Sequence, residues 1–318
     1  MPDTTTASTT FDTVAWGKRT NFALRPRLYF DDLASVKSTN NTHNGATVNF
    51  PFWTEMAAAT TPLTEGTDVT PIAVANTDQT LTLAEYGNVV NFTSRWLATS
   101  YVPLIPDLAN LLGYNAGLSI DTVALGALSA GTNVQYGGAA TSRVTVAAAS
   151  IIDSGDIRLA KARLAAASVM PLPQGAYRAY IHPDVAHDLL AETGEVGWRQ
   201  VHNYSAPEAI MQGWVGRYHG FDFIETPRAT LRVNQGVGGT VDVYDTYFVG
   251  AEAVAKAHCT GTHLDGQQLG ATPITVRGPI VDSLYREAPM GWYWFGAYGI
   301  HRQDAVRRLE SSSSIGTN

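Results

Sequence analysis

Apolar and polar residues alternate along two stretches that bracket the least regular part of the chain. Val48, Phe50 and Phe52 lead out, and Leu81, Leu83, Val89 and Phe92 lead back, with the period of two that places every second side chain on one face of a strand. The stretches read as two arms of a long hairpin over residues 47–93. Between them, Thr54 to Gln79 offers only Met56, Leu63, Val69, Ile72 and Val74 as large apolar residues. Burying such a set contributes about 7 to 15 kcal/mol, whereas ordering roughly 26 backbones costs on the order of 26 to 52 kcal/mol. The tip does not order itself. A loop of this length is a lid, a binding loop or a disordered segment, and it is expected to order against other subunits.

After the hairpin, Leu104, Leu108, Leu111, Leu112, Leu118, Val123 and Leu128 recur at spacings of three to five, which predicts the longest helix, from Leu104 to Ala130. Its glycines, Gly113, Gly117 and Gly126, lower helix propensity and are expected to mark close packing against a flat surface. A second helix is predicted over 156–169, with Ile157, Ala160, Leu164 and Ser168 on one face and Arg158, Lys161 and Arg163 outside it. AYRAYIH predicts a strand, and Pro183 opens a short helix that stops at Gly194. FDFIETP, TVDVYDTYFVG, AVAKAHC, TPITVRGPI, SLYREAPM and GWYWFGAYGIHR read as strands. Residues 11–44 lack periodicity but hold scattered aromatic anchors. The tail from Glu310, ESSSSIGTN, is expected to be disordered. Helices and strands intermix without regular alternation, which gives a mixed α+β class.

Composition narrows the function classes. Hydrophobic residues make up 45% and charged residues 15% of the 318-residue chain, which suits a globular protein that packs against neighbours. A net charge of −7 argues against a dedicated nucleic-acid binder. The basic exception is the amino-terminal arm, with Lys18, Arg19, Arg25, Arg27 and Lys37. One cysteine, Cys259, excludes an internal disulfide and any Cys-based zinc site. No stretch approaches the 18 consecutive apolar residues of a membrane span, and MPDTTTASTT lacks the basic region and apolar run of a signal peptide, so neither is expected.

Candidate chemistry is sparse. His182, Asp184, His187 and Asp188 are the densest set of possible ligands. The five-residue spacing of the histidines spreads them around a helix, and Asp184 is accounted for by the helix dipole. Cys259 lies between His258 and His263, but neighbours on a strand point to opposite faces. No nucleophile elbow, phosphate loop or dinucleotide motif occurs, and GVGG at 236–239 fits a hairpin loop. The aromatic run Trp292, Tyr293, Trp294, Phe295 and Tyr298 reads as a buried central strand more than a stacking platform. No catalytic residue, metal or cofactor is assigned.

The order of parts resembles the Hong Kong 97-type fold of tailed-phage major capsid proteins, and within it the family typified by the coliphage N-four capsid protein. The carrying residues are PLTEG at Pro62 to Gly66, LAEYGNVV at Leu83 to Val90, IRLAKARL, IHPDVAHDL at Ile181 to Leu189, GWVGRYHGFDFIET at Gly213 to Thr226, and GWYWFGAYGIHR at Gly291 to Arg302. The resemblance implies an arm over 1–46 and an extended loop over 47–93. It further implies a peripheral domain with a spine helix over 94–149 and 272–310, an axial domain over 150–271 and a tail over 311–318. It implies a non-enzymatic shell subunit that forms hexamers and pentamers around packaged double-stranded DNA, in a virion assembled in the host cytoplasm. Portal, scaffolding and cement proteins would be further partners, with no membrane and no cofactor. Contacts between subunits would run through Pro62, Leu63, Thr64, Glu65, Gly66, Val69 and Ile72 of the loop, and Trp16, Arg19, Phe22, Arg25 and Arg27 of the arm. Some shells with this fold are welded by a loop lysine; here no lysine occurs between Lys37 and Lys161, so a non-covalent shell is expected. An encapsulin-like compartment shares the fold. A hydrolase or carbohydrate-binding protein with the hairpin as a lid is the reading from another class.

Overall fold

The computed structural model describes residues 29–38, 45–100, 104–173, 175–193, 216–264, 266–278, 283–284 and 286–315. In chain order, β1 (Ala34–Ser38), β2 (Thr47–Trp53), β3 (Asn76–Thr82) and β4 (Ala84–Thr93) precede α1 (Ser94–Thr99) and α2 (Leu104–Ser129). β5 (Val134–Tyr136), α3 (Ser154–Ala166), β6 (Tyr177–Ile181) and α4 (Pro183–Ala191) follow. The chain closes with β7 (Arg217–Tyr218), β8 (Phe221–Glu225), β9 (Leu231–Arg232), β10 (Val243–Val249), β11 (Val254–His258), β12 (Ile274–Arg277), β13 (Glu287–Ile300) and β14 (Val306–Ser311). The class is mixed α+β.

Two compact units share these elements. The smaller takes residues 87–116 and 275–293. In it β4 runs beside β13, and bare backbone is required at the crossing: a Cβ on Gly291 would stand 2.5 Å from the Asn88 carbonyl oxygen, and one on Gly87 2.7 Å from that of Trp292. Asn115 Oδ1 accepts from both Trp292 Nε1 (2.8 Å) and Asn88 Nδ2 (2.9 Å). Thr93 Oγ1 caps α1 by accepting from the Trp96 amide.

The larger unit, 26–86, 117–274 and 294–318, holds a seven-stranded sheet of order β5-β14-β10-β6-β8-β7 with β9 beside β10. All seven residues of β10 are buried. Ile157, Ala160 and Leu164 of α3 and Val185, Ala186 and Leu189 of α4 join the core made by Tyr247, Phe248, Leu309, Phe221 and Phe223. α3 is capped by Asp153, which accepts from the Asp156 amide at 2.7 Å. In the same unit β1 pairs parallel with β11, and β11 antiparallel with the carboxyl-terminal half of β13.

α2 has the predicted bounds but a different buried stripe. Leu108, Leu112, Ala116, Ile120, Ala124 and Leu128 are buried at a strict four-residue spacing, while Leu111 is exposed. The helix is long and apolar enough to cross a membrane by length and composition, and its buried row winds slowly around the axis, since four residues overshoot a turn of 3.6 by about 40°. The close packing expected at Gly113 and Gly126 is not found: Cβ atoms there would meet nothing within 4 Å, because both lie on the open face.

Three further expectations are corrected. The return arm of the hairpin is β3, in register from Thr47↔Thr82 to Trp53↔Asn76, and residues 84–93 form the separate strand β4. Residues 34–38 are the strand β1, not part of an irregular arm. Residues 311–315 of the tail are ordered: Ser311, Ser312 and Ser313 are buried, the Ser312 and Ser313 hydroxyls with partners and the Ser311 hydroxyl without one. The Ser312 amide donates to Ser150 O at 3.0 Å, its Oγ to Ala148 O, Ser313 Oγ to Asp184 O and the Ser314 amide to Asp188 Oδ2 at 2.8 Å. β5 and β14, from stretches assigned to a peripheral domain, pair in one sheet with β6, β8 and β10 from 150–271.

Candidate assembly surfaces

The hairpin has a buried stem and a bare tip. Val48, Phe50, Leu81 and Leu83 form a small core with Ala255, Ala257 and Ala297, separate from the main one. The alanines are what let the stem lie flat on β11 and β13. Beyond Trp53 the ladder gains one more bond, from the Thr54 amide to Ala75 O at 3.0 Å, and residues 55–75 then run without strand or helix. At the end, the Thr67 amide donates to Thr64 O at 3.2 Å and Gly66 takes φ +80°. That pairing is a type II turn, which asks for glycine at its third position. PLTEG is therefore a turn signal.

Pro62, Leu63, Thr64, Glu65, Gly66, Val69 and Ile72 all lie on this tip and all are exposed. Leu63 is 78% exposed, Ile72 65% and Val69 56%, with Trp53 at the rim 76% exposed. An apolar row left in water on one protruding loop marks an interaction surface. Trp16, Arg19, Phe22, Arg25 and Arg27 lie outside the described residues.

Where the amino-terminal segment enters the described residues it is locked by polar contacts that no local pattern predicts. Phe30 is buried and its amide donates to Asp121 Oδ1 of α2 at 2.8 Å. Arg228 holds the other oxygen of Asp121 at 2.9 Å. Asp31 accepts from Lys256 Nζ at 2.7 Å and from the Tyr298 hydroxyl. The Lys256 ammonium, 4% exposed, also stands 5.6 Å from the Trp294 ring centroid and 5.4 Å from that of Tyr298. Burial first, and then the bond to Asp31, push the Tyr298 hydroxyl far above the usual phenol range.

The candidate chemical groups are absorbed by structure. His182 is the residue before α4, and its Nδ1 accepts from the Asp184 amide. Asp184 accepts from the Tyr244 hydroxyl at 2.9 Å and Asp188 is taken by Ser314. Among the described residues no group of three or more His, Cys, Asp or Glu could hold a metal. Cys259 is half-buried beside the stem core. Trp292 and Trp294 are 5% and 1% exposed, as a central strand requires. The Gly238 and Gly239 pair, at φ +67° and +66°, turns the chain between β9 and β10.

The sequence model of the family described as phage capsid protein matches residues 30–304. The chain belongs to the phage capsid protein family. No curated protein sequence matches it, but solved capsid structures do. That of Ralstonia phage GP4 has a TM-score of 0.74 at 14% identity, covering 97% of this chain and 98% of the other. The cyanophage Pam1 capsid asymmetric unit gives 0.72 at 15%, covering 99% and 100%. The acidic stable capsid of Helicobacter pylori bacteriophage KHP30 gives 0.72 at 11%, covering 98% and 99%. The fold is thus that of Hong Kong 97-type phage capsid proteins. This capsid protein is a structural, non-enzymatic subunit that self-associates into the shell of a phage head, and neither the compartment nor the lid-bearing readings are favoured.

Proposed function

We propose that this phage capsid protein is the major shell subunit of a head related to that of coliphage N-four, assembled in the host cytoplasm as hexamers and pentamers around double-stranded DNA. The hairpin acts as the extended loop, laid over a neighbour through Pro62 to Gly66, Val69 and Ile72. The observation that carries this is the exposed apolar row on a tip that its own stem cannot bury. α2 serves as the spine helix of a peripheral domain over 94–149 and 272–310, and residues 150–271 form the axial domain. Trp16, Arg19, Phe22, Arg25 and Arg27 of the arm make a second contact. With no lysine between Lys37 and Lys161, the loop has no amine for an isopeptide bond, and the shell is non-covalent. Contacts with DNA are weak and non-specific, in keeping with the net charge of −7. Portal, scaffolding and cement proteins complete the particle.

Deleting Thr61 to Thr70 tests the reading. Soluble subunits with an unchanged circular-dichroism melt and no closed shells by electron microscopy are expected; normal shells would overturn it. A ladder of covalent oligomers from wild-type particles on a denaturing gel would overturn the non-covalent part.

A further inference from the structure

The hairpin is one-signed. No Lys or Arg occurs between Lys37 and Arg95, while Glu55, Glu65, Asp68, Asp78 and Glu85 are all exposed. Among the described residues, none of these carboxylates has a cationic nitrogen within 4.0 Å.

A second surface has the opposite sign. Arg158, Lys161 and Arg163 lie on α3, whose only acidic residue is Asp156 in the first turn. Arg302 and Arg307 join them: Arg302 Nη2 donates to Ala167 O at the end of α3 at 3.0 Å, and Arg307 feels the Arg163 charge. Among the described residues none of these five has a carboxylate within 4.0 Å, Asp304 acting on Arg307 from farther off, whereas Arg143, Arg228, Arg232, Lys256 and Arg308 are all paired. Arg307 Nε is buried without a partner. Burial and then Arg163 hold the Arg307 guanidinium below its ordinary range. Arg158 and Lys161 stand three residues apart on α3, a like-charge spacing that destabilises a helix slightly. Between them the exposed positions are Leu159, Ala162, Ala165 and Ala166, and Met170 lies just beyond, 74% exposed. A small, partly apolar strip edged by cations is the complement of a tip that sets Leu63, Val69 and Ile72 among Glu55, Glu65 and Asp68.

We propose that the basic face of α3, with Arg302 and Arg307, receives the acidic hairpin tip of a second copy of this chain. The inference rests on the reading of the hairpin as an intersubunit contact, and names the surface that takes it. Charge complementarity selects partner and register more than it adds affinity, so reversal on either side penalises assembly and reversal on both restores it.

The test is particle yield by sedimentation and electron microscopy for full-length R158E/K161E/R163E, E55K/E65K/D68K and the chain carrying all six changes. Each triple variant is expected to lower yield about tenfold at roughly 0.1 M salt, with the combined chain back within about threefold of wild type. Melts of unassembled subunits report folding. Should a reversal impair it, R158Q/K161Q/R163Q is read instead, and it should flatten the salt dependence of assembly; an unchanged salt dependence overturns the inference. A patch variant that assembles normally also overturns it, as does a combined chain that stays as defective as the triple variants. Normal particles that lose only nucleic acid would assign the patch to DNA. If the patch variants assemble while the Thr61 to Thr70 deletion does not, this inference fails and the reading of the hairpin stands; if the deletion also assembles, both fail.

Discussion

Asp245 and Glu310 face each other in register across β10 and β14, and both are fully buried. Two carboxylates on adjoining strands repel unless cations separate them. Arg232 takes Asp245 with Nε at 3.0 Å and Nη2 at 2.8 Å. Arg143 takes Glu310 with Nε at 2.8 Å and Nη2 at 2.6 Å, and Arg308 adds a bond to Glu310 at 3.0 Å. Arg308 and Arg232 also reach Ser129, the last residue of α2. The end of the long helix is thereby pinned to the middle of the sheet.

Removing one cation should expose what the pair costs. Burial holds the Asp245 carboxyl above its ordinary range even with Arg232 beside it. Arg232→Ala leaves that charge buried and is expected to lose about 3 to 5 kcal/mol at pH 7 in urea denaturation. Because the native pKa is raised, the folded state binds the proton more readily than the unfolded chain, and the deficit should shrink as the pH falls. Arg232→Met with Asp245→Asn should cost less than Arg232→Ala alone.

Asp31→Ala removes the partner of a buried ammonium. The aspartate side chain is half exposed and Lys256 almost wholly buried, so a loss of about 2 kcal/mol is expected, below the figure for a fully buried pair. The effect should be local first. Hydrogen exchange of the β1 amides should speed up before that of β10, and equal acceleration of both would argue against the lock.

Two groups give stability opposite pH slopes. Burial, then Asp153, raises Asp156 to about 6. From about pH 4, the unfolded value, up to that native value, the folded state holds more protons, and stability falls as the pH rises. Burial, then Lys256, depresses His258 below its ordinary value of 6.5, so its contribution is present above that pH and lost as the pH falls through the native value. Asp156→Asn should therefore steepen the acid-side loss of stability and His258→Gln should relieve it. Chemical denaturation between pH 4 and 7 reads both, and equal slopes in the two variants would refute the assignment.

The carboxyl terminus should behave as part of the fold. Truncation after Glu310 removes the bonds of Ser312, Ser313 and Ser314 to Ser150, Ala148, Asp184 and Asp188. At about 1 kcal/mol net for each bond, the melting temperature should drop by several degrees. Asp188→Ala should reproduce part of that drop.

What was legible in the sequence followed periodicity. α2, α3, α4, β6, β8 and β10 were readable because their apolar residues recur at the helical or strand period, and the tip was readable because it lacks such residues. β14 was not, since VRRLES carries charges whose burial depends on Arg143 reaching Glu310 across 167 residues of sequence, with Arg308 adding a bond from two residues away. The serine run looked like a solvated tail for the same reason: short hydroxyl side chains bury cheaply once the fold supplies acceptors. Residues 29–38 hid their role because Asp31 is a partner only when Lys256 is brought to it. The return arm was misassigned because 76–82 and 84–93 both alternate, and only Leu81 against Val48 decides the register.

The stem of the hairpin is the last place where local and global stability separate. Leu81 is 6% exposed and packs in a cluster of Val48, Phe50, Leu83 and three alanines that is distinct from the main core. Truncation to alanine leaves a cavity that the small residues beneath cannot fill, at about 2 to 5 kcal/mol by comparison with other cores. That penalty falls on the stem, because the cluster can open as its own unit while β10 and its neighbours stay folded. Leu81→Ala should therefore make residues 54–75 cut faster in limited proteolysis, leave the melting temperature of the unassembled subunit nearly unchanged, and lower shell yield. A large fall in melting temperature with no change in cleavage would mean that the stem and the core unfold together, against the separation argued here.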